Sequence, residues 1–245
     1  MKRPIAIALL ALTVLGAGAA RADMVTLNAS LDNTLYIDVS GAVSNGSGPT
    51  MFCGKTGVFG TGARRALVQF DVAGGIPSGA TITSVRLRLY MSQSVSGAYP
   101  ISLRRVTNSW GEGISDAGPT GGQGVQAQNN DATWLHRFYP ATNWANAGGD
   151  FTVASSASIN VSGLGPYFWG STAAMVADVQ SWLDVPAGNN GYLLLGNEVA
   201  DGSAKRFETR ESETTANRPQ LIVTYDPPAV GVAPATWSRI KSLNQ

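Results

Sequence analysis

Cysteine and histidine are almost missing from this 245-residue chain, which has one of each, Cys53 and His136. A single thiol can form no internal disulfide, so the fold rests on its core rather than on cross-links, and Cys53 reads as a buried, unreactive side chain. A single imidazole rules out catalytic zinc sites built on two or three histidines. It also leaves His136 as the only base open to a serine triad, and no G-x-S-x-G elbow accompanies it. Charge is sparse too, at 13% of residues. No basic surplus exists to draw the chain onto nucleic acid or an anionic membrane. Long apolar runs are confined to the start of the chain. Beyond residue 22, nothing approaches the roughly 20 apolar residues of a spanning helix. "FCGKTG" falls short of a phosphate loop, because Pro49 stands where the first glycine of G-x-x-x-x-G-K-[ST] is required.

The first 22 residues read as a secretory leader: Lys2 and Arg3, then an apolar stretch from Ile5 to Ala20, then Ala20-Arg21-Ala22 as a cleavage site. Its bacterial character places the mature protein outside the cell or in a periplasm. Cleavage removes Lys2, Arg3 and Arg21 but no acid, so 17 basic residues become 14 against 16 acidic ones and the net charge becomes −2. At the other end, residues 227–245 form a Pro/Ala/Val linker and a tail, "WSRIKSLNQ". There Trp237, Ile240 and Leu243 could make one apolar stripe for a surface partner. Residues 23–226 are left as a single domain.

Glycine and proline are abundant within that domain, with 29 and 12 in the whole chain, and the periodic segments are short. "SVRLRLYM" sets Val85, Leu87, Leu89 and Met91 against Ser84, Arg86, Arg88 and Tyr90, the alternation of a strand with one wet face. "RALVQFDV" and "PQLIVTY" repeat the device. Further strands are expected at 24–28, 33–39, 101–107, 157–161, 191–196 and 205–210. Together they predict a two-sheet antiparallel sandwich. "STAAMVADVQSWLD" is the exception: Met175, Val176, Val179, Trp182 and Leu183 recur at helical spacing, with Pro186 as a stop.

Residues 108–150 carry no sustained period but many rings, and long irregular loops of this kind are functional more often than idle. Flat rings can stack on the C–H faces of sugars while polar neighbours bind hydroxyls. Trp134 and Phe151 are expected to anchor the loop. Trp110, His136, Tyr139 and Trp144 are the candidate ligand contacts, with Arg137 available to a uronate or sulfate. Paired carboxylates for glycoside hydrolysis could come from Glu112, Asp116, Asp131 and Asp150, or from Glu208, Glu211 and Glu213. The arginines around Glu208 and Glu211 make an ion-pair lattice the stronger expectation for those two.

The segments "LDNTLYID", "RRALVQFDVAGGIPSGATITSVRLRLYM", "VTNSWGEG", "DATWLHRFYPATNWANAGGDF", "ADVQSWLDVPAGNNGYLLLGNE" and "KRFETRESETTANRPQLIVTYDP" occur in that order over residues 24–227. Taken together they resemble the DNRLRE, or disaggregatase-related, domain. The resemblance implies an all-β, antiparallel jelly-roll β-sandwich, here with one short helix and a long irregular loop. It further implies a secreted module that binds polysaccharide, acidic polymers included, and brings no catalytic set with it. No cofactor is required on this reading. Such jelly rolls often hold a structural calcium ion, for which Asp32, Asp38 and Asp226 are the candidates. The expectation is therefore a secreted, non-catalytic polysaccharide-binding module. A structural or adhesive surface protein is the alternative, and a polysaccharide lyase or hydrolase stands behind both.

Overall fold

A computed structural model describes residues 21–57 and 62–228. All but the last two residues of the expected leader lie outside that range, as does the stripe of Trp237, Ile240 and Leu243. In chain order the strands are β1 (Asp23–Tyr36), β2 (Val43–Ser44), β3 (Thr50–Lys55), β4 (Ala63–Phe70), β5 (Thr81–Ser94), β6 (Tyr99–Arg105), β7 (Val125–Gln126), β8 (His136–Phe138), β9 (Thr142–Asn143), β10 (Ala157–Val161), β11 (Gly165–Gly170), β12 (Tyr192–Leu195), β13 (Lys205–Glu208) and β14 (Gln220–Asp226). Among the described residues two α-helices interrupt them, α1 (Val72–Gly75) and α2 (Ala173–Asp184), besides short 3-10 turns at Pro186–Gly188 and Thr215–Asn217. Among the described residues no helix is long and apolar enough to cross a membrane.

All pairing is antiparallel, as expected, but the jelly-roll sandwich is not what forms. The first part of β1 (Asp23–Asn28) pairs with β14, and after a bulge at Ser30 the same strand pairs with β4. In β3, Thr50–Cys53 pair with β13, whereas Gly54 and Lys55 pair with β4. Both strands thus change partner partway along. Hydrogen bonds then join the two edges that a sandwich would leave apart, and β1, β14, β5, β13, β3 and β4 close into a six-stranded barrel. From β4 the sheet continues through β12 and β6 to β10, and β11 adds to β5. Gly54 makes the corner in β3 possible. Its φ is +102°, and a Cβ there would meet the Ser203 carbonyl at 3.0 Å and Ala204 Cα at 3.1 Å.

The interior is filled by the inward half of each alternating strand. Val85, Leu87, Leu89 and Met91 of β5 meet Leu221 and Val223 of β14, Phe207 of β13 and, from the other wall, Ala66, Val68, Phe70 and Leu194, all buried. Helix α2 begins where the Thr172 hydroxyl accepts from Met175 N at 3.1 Å and ends before Pro186. Its apolar face (Met175, Val179, Trp182, Leu183) seals the core. Gln180 fixes it to the start of β5 by accepting from Ile82 N at 2.8 Å and donating to Ala80 O at 3.2 Å.

A second core lies outside β4. Leu35, Leu67 and Leu193 point away from the barrel interior, and the loop between β6 and β10 covers them with Val106, Trp110, Ala132, Trp134 and Trp144. This is why "RALVQFDV" has a leucine on the side its pattern would expose.

Candidate functional site

The long loop carries the residues expected to meet a ligand, and the structure separates them. Trp110 and Trp144 are only 4% and 5% exposed. The indole of Trp110 donates to Asn190 O and that of Trp144 to Thr133 O, each at 2.9 Å. Rings held in this way offer no face to a sugar, so the expectation of ligand contact at these two positions is corrected: they bolt the loop to the second core. Trp134 and Phe151 do likewise. The Arg65 guanidinium lies 4.6 Å from the Trp134 ring and 5.4 Å from that of Phe151, and also binds Gly148 O and Glu198.

His136, Arg137 and Tyr139 remain half-buried. His136 Nδ1 lies 3.1 Å from both Gly41 O and Thr133 Oγ1, and its ring meets Tyr139 edge-on with centroids 5.1 Å apart. Arg137 donates to the carbonyl and hydroxyl of Ser109, each at 3.0 Å. All three take part in holding the loop, and the Arg137 guanidinium lies 5.3 Å from the ring of its neighbour Phe138.

One of the carboxylates weighed for hydrolysis, at position 150, is also occupied. Asp150 accepts from Ala145 N and Asn146 N at 2.8 Å and from the Asn146 and Asn108 amides at 3.0 Å. Burial pushes this carboxyl up, but those hydrogen bonds outweigh it and hold it below its ordinary value of 3.8. The ionised form therefore stabilises the fold above that value, and the contribution is lost as the pH falls through the lower folded value. Asp150→Asn is expected to cost about 1–3 kcal/mol at pH 7. In urea titrations, the gap between variant and parent should narrow as the pH falls below 3.8; a gap independent of pH would refute this assignment.

The outward side of β5 offers a more open surface. Arg86, Arg88, Tyr90 and Ser92 alternate with the buried Leu87, Leu89 and Met91. Phe168 of β11 is the register partner of Arg88, and the Arg86 guanidinium lies 4.5 Å from its ring. Arg206 of β13 joins the same face, since its Nε donates to Ser92 Oγ at 3.0 Å. None of Arg86, Arg88 and Arg206 forms an ion pair with a described residue, and Arg88 Nη1 is buried without a hydrogen-bond partner. From position 86 to 92 the strand runs for about 20 Å. At its β13 end Arg206 separates two depressions. One, of about 270 Å³, is lined by Phe52, Gln93 and Gly122 among others; the second, of about 280 Å³, is lined by Thr50, Pro119 and Glu208 among others. The sequence pattern already put Arg86 and Arg88 on the wet face. Phe168 and Arg206 joined them only when the pairing was known.

A third feature lies where β1 leaves β14. The segment 205–226 runs along β5 as β13 and then β14, with an excursion at residues 209–219 between them. Arg210 sits in that excursion. It grips Glu112 of the long loop through both carboxylate oxygens, reaches Glu211 Oε1 at 2.9 Å and donates from its backbone N to Asp32 Oδ2 at 2.8 Å. Burial, followed by the neighbouring Glu211 charge, holds the Asp32 carboxyl well above its usual range, and burial likewise raises Glu211. The ion pair expected for Glu211 is present at Arg210 and extends to Glu112, whereas Glu208 pairs with no described arginine and instead accepts from Ser212 Oγ at 2.6 Å. Of the calcium candidates, only Asp32 is here. Asp38 caps a surface turn through Ser40 N, and Asp226 pairs with Thr81 beside the start of β1, about 25–30 Å along the strand from Asp32.

No protein-family model matches the chain, and no curated protein matches it.

Proposed function

We propose that the protein is a secreted, non-catalytic module that binds acidic polysaccharide on the outward face of β11, β5 and β13, with Arg86, Arg88 and Arg206 as anion contacts and Phe168 and Tyr90 as stacking rings. The observation that carries this reading is the row of three arginines without carboxylate partners among the described residues, interleaved with rings, along one sheet face. A guanidinium presents two parallel N–H groups that match a uronate carboxylate or a sulfate. Aromatic faces supply the apolar contact that sugar C–H groups need. The leader-like first 22 residues and the resemblance to the DNRLRE domain support export and a polysaccharide partner. Relative to the sequence expectation, the binding surface moves from the long loop to the sheet.

Affinity electrophoresis in gels containing a polyuronate, a sulfated polymer or a neutral glucan tests this. Retardation is expected in the acidic gels only, weakening as salt is raised. Arg88→Ala and Arg206→Ala should each lower affinity about tenfold, the loss of one charge-assisted contact. Unretarded migration in every gel would retire the proposal in favour of the structural or adhesive reading.

A further inference from the structure

We infer that Asp32, Glu112 and Glu211 hold a hard divalent cation, calcium, at the point where β1 parts from β14, and that this ion ties the long loop and the 209–219 excursion to the barrel. Carboxylate oxygens of the three residues lie within 4.8 Å of one another. When ionised, the three carboxylates carry two more negative charges than the single Arg210 guanidinium offsets, in a place where Asp32 is fully buried and Glu112 is 8% exposed. Charge of that size away from water is costly unless something neutralises it. Two oxygens also stand open. Asp32 Oδ1 and Glu211 Oε2 are buried without a hydrogen-bond partner, while their sister oxygens are taken by the backbone and side chain of Arg210. A dipositive ion settles both deficits at once, since it cancels the residual charge and gives the two orphaned oxygens a partner, with a free lone pair on Glu112 as a third donor.

Donor chemistry selects the ion. All three ligands are oxygens, which excludes the soft metals that prefer thiolate or imidazole. Calcium accepts irregular, carboxylate-rich shells, whereas magnesium demands a strict octahedron and retains several waters. The three ligands come from positions 32, 112 and 211, so the ion cross-links parts of the chain that meet only in the folded state. Its binding energy therefore adds to folding energy. This inference is independent of the proposed glycan site, which lies on β5 and β13 and uses none of these residues.

The test uses the full chain after treatment with a chelator. Isothermal titration with calcium is expected to show one site per chain, with magnesium binding at least tenfold more weakly. Calcium at about 100 times its dissociation constant should raise Tm by about 5–10 °C. Glu211→Gln, at a half-buried position, should fold and lose both the heat of binding and the Tm response; Asp32→Asn should behave likewise if it folds. A parent protein with no calcium heat and a Tm indifferent to calcium and chelator would overturn the inference. So would a Glu211→Gln variant that binds calcium as tightly as the parent. Neither outcome bears on retention by acidic polymers, so the two proposals fail separately.

Discussion

Trp169→Ala is expected to lower unfolding stability by about 3–5 kcal/mol, the range for removing a large buried ring. Trp169 is fully buried in β11, beside Leu87 of β5, and its ring packs edge-on against Phe207 of β13 with centroids 6.0 Å apart. Its indole N–H donates to Ile101 O of β6 at 2.9 Å, so one side chain spans from the β5 wall to the extension beyond β4. Trp169→Phe keeps most of the volume but loses the N–H bond, and should cost about 1–3 kcal/mol. Urea denaturation with unchanged slope m would report both values. A Trp169→Ala variant within 1 kcal/mol of the parent would mean that the two walls are not coupled through this ring.

Much of the architecture could be read from alternation. The helix over 173–184, the strands of β5, β4 and β14 and the shorter β6, β10, β12 and β13 all follow from spacing alone. Closure did not. A bulge at Ser30 and a corner at Gly54 decide which partner each half of β1 and β3 takes, and neither leaves a periodic trace. Segments 24–28 and 33–39, whose patterns predict two strands, belong to one strand bent across the barrel. β3 shows no alternation in the sequence because Thr50, Met51, Phe52 and Cys53 are all buried. In β11 the glycines and proline read as loop signals and hide the strand. The same blindness affected the sites. Asp32, Glu112 and Glu211 are remote in sequence and meet only through the excursion between β13 and β14. Rings in an irregular segment look alike whether they face water or a second core, and only Leu67, apolar on a side expected to be wet, hinted that the loop had something to cover.

Trp134→Ala separates the loop from the sheet as the seat of binding. The ring is 9% exposed and is sandwiched by Arg65 on one side of the second core, so its loss should cost about 3–5 kcal/mol, felt first as local opening of the loop. Trypsin, which cleaves after basic residues, should then cut at Arg137 at least tenfold faster than in the parent protein. The part of the loop beside Arg206 is held by other contacts: Tyr36 Oη donates to Gly121 O at 2.6 Å and the Arg64 side chain to Gly122 O at 3.2 Å. The sheet face and its depressions should therefore survive. Retention on an acidic polymer is expected to stay within about twofold of the parent, since the lost contacts lie outside the proposed site and distant effects are small. If retention collapsed while the barrel remained folded, the half-buried trio of His136, Arg137 and Tyr139 would be the binding surface and the arginine row would not. Faster cleavage with binding preserved would instead show that the loop's tryptophans serve the fold, leaving the glycan to the face of β5.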